Sequence, residues 1–406
     1  MLFQYRTDFP ILQNSDVAYL DSASSAQKPQ VVIDAYQNIY QKSYANIHRG
    51  LYKFSQDTTT QYEAVREKVR SFINAQNVDE VIFTRNTTES INLVASSWGE
   101  TFLKAGDEII ISEMEHHANI VPWQLLSEKI GVVVKVVPVL DDGTLDMSAF
   151  KNLLNDKTKL IGIVHISNAL GIVNDVKAIV QQVKSYNSDI KILVDGTQSV
   201  IHGAVNIQEI CCDFFCFTGH KLYGPNGVGV LWAKSEILNA MPPYQGGGDM
   251  IETVSFDNGT TFKNGAAKFE AGTPAIAEVI ALGVAIDYVR DIGLDNIAAH
   301  EAKLLTYMST QLNEIDGLTI HGTHNNSLEN KAAVVSFTAD WAHTSDIAMI
   351  LDQCNVAVRT GHHCCMPLMH RFGIDGTIRA SLGLYSNEND IDMLVGGINK
   401  AKEMLS

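Results

Sequence analysis

A lysine and an aspartate, each at the end of an apolar run, are the residues of this chain best suited to chemistry. Lys221 stands in Phe217-Thr218-Gly219-His220-Lys221-Leu222-Tyr223-Gly224-Pro225, and Asp195 opens Asp195-Gly196-Thr197-Gln198-Ser199. Ile192-Leu193-Val194 delivers the carboxylate at a strand tip. Phe214-Phe215-Cys216-Phe217 delivers the amine beside small and hydroxylic residues. Pyridoxal phosphate chemistry needs this pair: an amine for a Schiff base, and an acid that keeps the pyridine nitrogen protonated so that the ring accepts electrons. A lysine after a strand says little alone, because most lysines are solvated. The aspartate and the constellations that follow give it weight.

Phe83-Thr84-Arg85-Asn86-Thr87-Thr88-Glu89-Ser90 sets Thr87 and Thr88 at a strand-to-helix turn, where free amides and the helix dipole favour phosphate. Alone, the same residues read as an N-cap box. Thr218 and His220, just before the lysine, are further phosphate donors. His116, in Glu115-His116-His117-Ala118-Asn119, follows the strand Glu108 to Ile111, at the end of the sheet where open α/β folds bind ligands. There it can stack on a pyridine ring and shuttle protons; the capping of the next helix falls to His117. Asn168, after His165-Ile166-Ser167, and Gln198 can hydrogen-bond the ring oxygen.

The loop Arg359-Thr360-Gly361-His362-His363-Cys364-Cys365-Met366-Pro367 puts two histidines beside two cysteines. Zinc is one reading, yet four consecutive residues cannot all turn onto one tetrahedral ion, and no second ligand pair stands out. A nucleophilic cysteine on a glycine-hinged loop is the better reading. An unassisted thiol of pKa ~8.5 is only a few per cent thiolate at neutral pH, and the adjacent imidazoles are expected to raise that share. A plain structural loop is the remaining alternative. Arg379, in Thr377-Ile378-Arg379-Ala380-Ser381, lies in an otherwise apolar strand and suits the clamping of a substrate carboxylate.

These residues need a scaffold, and the chain has the length for one. At 406 residues it buries roughly three quarters of its unfolded surface in two or more domains. An apolar share of 46% with 19% charged residues is that of a globular enzyme. The net charge of −16 argues against a nucleic-acid or anionic-membrane surface. No apolar stretch reaches the ~18 residues of a membrane span, and Met1 to Pro10 does not read as a signal peptide. Six cysteines without secreted-scaffold spacing indicate a reduced, cytoplasmic protein. Strands are expected over Val81–Thr84, Glu108–Ile111, Val133–Val139, Leu160–His165, Ile192–Val194, Phe214–Phe217 and Gly229–Trp232, the last able to pair antiparallel. Helices are expected over Gln56–Ile73, Glu89–Trp98, Ile172–Ser185 and, broken at Gly293, Pro274–Ile315. Strands over Ala332–Phe337, Val356–Arg359 and Thr377–Leu382, with a helix over Asp346–Cys354, suggest a smaller α+β domain.

The motifs around Lys221, His116 and Cys364, together with Tyr19-Leu20-Asp21-Ser22-Ala23, resemble those of group II (SufS-type) cysteine desulfurases in the class V aminotransferase superfamily. The likeness spans nearly the whole chain. It implies an α/β fold of pyridoxal phosphate fold type I: a large domain (21–290) with a mainly parallel seven-stranded sheet, and a small α+β domain (1–20 and 291–406) carrying the cysteine loop. It also implies a homodimer with active sites at the subunit interface, with Asn46-Ile47-His48-Arg49-Gly50 crossing it. By the same likeness Lys221 is the Schiff-base lysine, Asp195 the pyridinium partner and His116 the ring-stacking residue. Gln198 and Asn168 contact the cofactor, and Thr87, Thr88, Thr218 and His220 surround its phosphate, with Thr273 reaching it from the partner. Arg379 clamps the substrate carboxylate, with Arg359 next in line, and Cys364 carries a persulfide. The implied reaction takes L-cysteine to L-alanine and passes sulfur to a SufE-like or SufU-like acceptor for iron–sulfur cluster assembly. Selenocysteine lyase activity is a side reaction of such enzymes. His343 is the candidate for zinc exchange with a SufU-like partner. An aminotransferase would share Lys221 and Asp195 without needing Cys364, and a metal-binding scaffold would need neither. Two positions depart from the pattern: Cys365, usually a small unreactive residue and read here as a bystander, and Ser24, where alanine is commoner.

Overall fold

The computed structural model describes residues 3–322 and 328–406. Its centre is a sheet of β1 (Val81–Thr84), β2 (Glu108–Ser112), β3 (Val133–Val137), β4 (Thr158–Val164), β5 (Lys191–Asp195), β6 (Phe214–Thr218) and β7 (Gly229–Ala233). The strand order is β1-β7-β6-β5-β4-β2-β3. Only β7 runs against the rest, antiparallel to both β1 and β6, while the remaining pairs are parallel. All seven expected strands form.

Helices cover both faces, which explains why the central strands read as unbroken apolar runs. Ile110, Ile161, Ile192, Val194, Phe215 and Phe217 point into one cluster with the helices Lys53–Phe72 and Ile276–Ile292. Their strand neighbours Ile109, Ile111, Leu160, Leu193, Phe214 and Cys216 point into the other, against Trp123 and Leu126 of the helix Val121–Ile130. Strand β3 is an edge and half exposed, and its central Lys135 blunts that edge against further pairing.

Helix limits depart from expectation where a cap decides. The helix expected from Ile172 begins at Val176, because Asp175 accepts the Ala178 amide at 2.9 Å. Ile172 and Val173 are instead extended and bridge to Lys331 and Ile166. The helix expected from Glu89 begins at Thr87 behind Asn86 and passes into a π-helical stretch, Val94–Gly99. Gly293, at φ +89, breaks the long helical run into Ile276–Ile292 and Leu294–Asn313.

A hairpin, β8 (Ile251–Ser255) and β9 (Gly259–Phe262), projects from this body. A smaller antiparallel sheet follows, of β10 (Leu318–His321), β11 (Val334–Ala339), β12 (Arg359–Gly361) and β13 (Thr377–Ser381), in the order β10-β11-β13-β12. The helices Thr344–Gln353 and Glu388–Leu405 cover it, and Ala18 and Leu20 join its core. The strand expected over Val356–Arg359 is split: Val356–Ala357 pairs with Ala18–Tyr19, and Arg359 opens β12. No helix among the described residues is long and apolar enough to cross a membrane.

Close backbone approach joins the sheet to the turn beside it. Gly229 opens β7, where a Cβ would lie 2.6 Å from backbone atoms of Asn86. Gly229→Ala must therefore displace the Asn86–Thr88 turn or the strand, at a cost of about 1–3 kcal/mol. A urea titration should show a lowered midpoint at unchanged slope, and a wild-type midpoint would contradict this packing.

Candidate active site

The C-terminal ends of the parallel strands meet the small sheet around a cavity of about 370 Å³. From the large domain come Thr87, Thr88, His116, Asn168, Asp195, Gln198, Thr218, His220 and Lys221; from the small sheet and its loop come Arg359, Cys364 and Arg379. Thr273 is not among them. It lines a separate cavity with Arg85, Glu89 and Glu270, so within one chain it does not meet Lys221.

Lys221 is partly buried, and among the described residues no hydrogen bond or ion pair reaches its ammonium. Burial, with Arg379 adding to it, lowers its pKa to about 8, so the free amine is more available than an ordinary lysine's. Asp195 is buried and accepts the Thr197 amide at 2.9 Å. Burial pushes its carboxyl upward, a shift that a cation beside it would oppose. His116 accepts the Ala118 amide on Nδ1 at 3.0 Å, so the proton of its neutral ring sits on Nε2. Burial, then Lys221, lower its pKa to about 3, which keeps the ring neutral. The capping assigned to His117 thus falls to His116.

The turn at Thr87 has the form of an anion cradle. Asn86 caps the Glu89 amide at 2.9 Å, which leaves the Thr87 and Thr88 amides, first in the helix, without an intrahelical partner. The Thr87 hydroxyl meets that of Thr197 at 2.8 Å. Gln198 donates to the Ala23 carbonyl at 2.9 Å, yet its Oε1 is buried without a partner. Open helix amides and an unpaired amine facing one space fit a phosphorylated aromatic aldehyde.

Arg379 is almost fully buried and donates to the Asn168 carbonyl at 2.9 Å and to Asp21 at 3.2 Å, while its Nε has no partner. Arg359, directly across the small sheet, holds the same Asp21 from the other side at 2.7 Å. Asp21, Thr197 and Asn86 were not assigned a role from the sequence. Asp21 carried a signal, being the one acid in the Tyr19–Ala23 motif.

The cysteine loop divides its neighbours. Cys364 is exposed, whereas Cys365 is buried and donates its thiol to Asn168 Oδ1 at 3.1 Å. Burial pushes the Cys365 thiol up to about 12, so it stays protonated and holds Asn168 in place. Its role is thus structural, more than that of a bystander. His363 turns inward, sharing a hydrogen bond with Thr377 Oγ1 at 2.8 Å. Burial, then Arg379, lower its pKa to about 3, so it cannot support a thiolate by its charge, contrary to expectation. His362 accepts the Cys364 amide on Nδ1 at 3.1 Å. His343 is exposed on the small domain and caps Thr344–Gln353 through the Ser345 amide at 3.2 Å.

The aminotransferase class-V family profile matches residues 18–394. A cysteine desulfurase of Dickeya dadantii (strain 3937) is 47% identical over 404 residues, covering 98% of this chain and 96% of that one. The solved structure of the cysteine desulfurase CsdA from Escherichia coli, as its S-sulfonic acid, superposes with a TM-score of 0.92 at 36% identity, covering 100% of this chain and 99% of that one. The apo cysteine desulfurase of Thermococcus onnurineus NA1 gives a TM-score of 0.92 at 36% identity, with 99% and 97% coverage.

The lowered pKa of Lys221 makes a thermodynamic prediction for cofactor-free protein. Unfolded, the lysine titrates at 10.5; folded, at about 8. Between those values the unfolded chain holds one more proton, so stability rises with pH, and below pH 8 the full penalty is present. Lys221→Met should stabilise the cofactor-free protein at pH 7 by about 1–3 kcal/mol, and by much less above pH 10.5. Urea titrations at the two pH values check this; an equal difference at both would refute it.

Proposed function

The chain belongs to the aminotransferase class-V family and is a cysteine desulfurase with pyridoxal phosphate as its cofactor, and from that premise we propose the roles of its residues. The observation that supports them is that the Lys221 amine, the Arg379 guanidinium and the Cys364 loop border one cavity. Pyridoxal phosphate, when bound, supplies an aldehyde for an amine and a protonated ring that draws electrons from Cα. Lys221 would hold the aldehyde at rest. Asp195 would keep the ring nitrogen protonated, and the neutral His116 would lie against the ring. Thr87, Thr88, Thr218 and His220 would hold the phosphate, and Gln198 and Asn168 the ring oxygen.

L-Cysteine would bind with its carboxylate on Arg379, whose Nε lacks a partner, and with Arg359 nearby. Lys221, when not holding the aldehyde, would take the Cα proton. The Cys364 thiolate then attacks the substrate sulfur: the S–S bond forms, the C–S bond breaks, and its electron pair stays with the carbon. Protonation of that carbon, Cβ, and return of a proton from Lys221 to Cα would give L-alanine and leave a persulfide on Cys364. An acceptor protein of SufE-like or SufU-like type, the latter engaging His343, takes the sulfur for iron–sulfur cluster assembly. Selenocysteine, whose C–Se bond breaks more readily, is a second substrate of the same site.

The working form is a cytoplasmic homodimer, its domains divided at 21–290 and at 1–20 with 291–406. The exposed Leu51, Tyr52 and Phe54 beside Asn46–Gly50, and Phe256 on the β8–β9 hairpin, support an interface. The separation of Thr273 from Lys221 fits its acting on the partner's phosphate.

Two outcomes test this reading. Arg379→Ala should raise KM for cysteine by two to four decades, as expected for about 3–5 kcal/mol lost when a carboxylate is left unpaired in a buried site. A change under tenfold would move the clamp to Arg359. Mass spectrometry after cysteine treatment should find the extra sulfur on the peptide containing Cys364, and Cys364→Ala should bind cofactor and cysteine yet release no alanine. Full alanine release by that variant would refute the persulfide route.

A further inference from the structure

The loop that carries Cys364 holds an unfavourable backbone. Gly361 is at φ +101, but His363 at +50 and Cys364 at +55 also occupy the left-handed region, which costs free energy in any residue with a Cβ. External contacts must keep it there. On the inner side, Asn168 donates to the His363 carbonyl at 2.8 Å and receives the Cys365 thiol. Those contacts stop short of Cys364 itself.

The outer side is held by one residue. The His117 amide donates to the Cys364 carbonyl at 2.7 Å, and His117 Nε2 accepts the Met366 amide at 3.2 Å. The ring lies beside that of His362, with centroids 5.4 Å apart. Among the described residues, these hydrogen bonds hold the backbone just after the Cys364 side chain from outside the loop, while Asn168 holds the His363 carbonyl just before it. Because Nε2 accepts, the proton of the neutral ring sits on Nδ1. His117 follows His116 directly, so one short segment touches both the cavity wall and the loop.

We propose that His117 is a positioning residue, a strap that fixes the Cys364 loop to the His116 segment and so sets where the thiol meets its target. The strap itself is a statement about the loop; only its kinetic consequence rests on the desulfurase reading above. The backbone half of the strap survives any substitution but proline. The side-chain half needs an acceptor at the Nε2 position, which glutamine Oε1 can supply. Asparagine Oδ1 lies one atom short, where Nδ1 sits.

His117→Gln, His117→Asn and His117→Ala, each loaded with cofactor, separate the possibilities. Hydrogen exchange of the amides of residues 362–368 should be about tenfold faster in the Asn and Ala variants, the effect of one lost hydrogen bond, and near wild type in the Gln variant. Alanine formation in a first turnover should slow by a similar factor in the same two variants, with KM for cysteine and the absorption of the bound cofactor unchanged. Wild-type exchange in His117→Asn would overturn the strap. So would equal loosening in all three variants, or a rise in KM in place of a slower turnover. If exchange follows this order but the wild type makes no alanine from cysteine, the strap stands and the desulfurase reading falls.

Discussion

Two arginines face each other on adjacent strands of the small sheet, and a single carboxylate makes that arrangement tolerable. Arg359 and Arg379 are register partners, a pairing that like charges ordinarily destabilise. Asp21 takes both, with Arg359 gripping it through Nε and Nη2 and Arg379 through Nη2. Because Arg379 is buried, the loss of Asp21 would leave an uncompensated charge inside the protein. The segment around Asp21 is also the seam between domains. Ala23 binds Ser381 of the small sheet through its amide and Gln198 of the large domain through its carbonyl. Ala26 donates to the carbonyl of His220, the residue before Lys221. The distance between Lys221 and Arg379 therefore depends on this short stretch near the N-terminus.

The electrostatics of the cavity follow from burial more than from net charge. The chain carries −16, yet the groups at the cavity are chiefly neutral imidazoles and cations. His116, His220 and His363 are all driven well below the ordinary histidine range, chiefly by desolvation. They act as uncharged surfaces and hydrogen-bond partners at neutral pH. Lys221 is depressed by the same burial, and Arg379 works in the same direction. A bound phosphate and a bound substrate carboxylate would each bring an anion to a space whose lining, among the described residues, holds a single acid, Asp195. Ligand charge and protein charge are thus complementary locally, although the global field opposes both.

The large sheet was legible because burial on both faces writes continuous apolar runs, as in Glu108–Ser112 and Phe214–Thr218. Capping was less legible. Asp175 starts its helix four residues later than the apolar pattern suggests, and either His116 or His117 satisfies the pattern for a cap. The hairpin Ile251–Phe262 was not read, since its largely exposed side chains leave no one-sided alternation in the sequence. The helix Glu388–Leu405 also escaped notice, although Asn387 and Asp390 form a capping box that marks its start. In the site, residues at strand ends were readable because their position follows from the strands. Asp21 showed only as the acid of its motif, because its role arises from the pairing of Arg359 with Arg379, which no local pattern records. Thr273 shows the same limit, since its separation from Lys221 emerges only once the chain has folded.

Two adjacent cysteines with opposite environments show how backbone geometry assigns chemistry. In an extended strand successive side chains alternate by simple geometry, but here a left-handed turn enforces the division. The turn directs Cys364 to solvent and sends the Cys365 thiol inward to Asn168. Asn168 in turn offers its backbone carbonyl to Arg379, so the loop, the amide and the buried guanidinium form one connected chain of hydrogen bonds. A smaller residue at position 365 would keep the turn but remove the donor that orients Asn168. The second cysteine therefore extends the polar network behind the site, while burial withholds its own thiol from reaction.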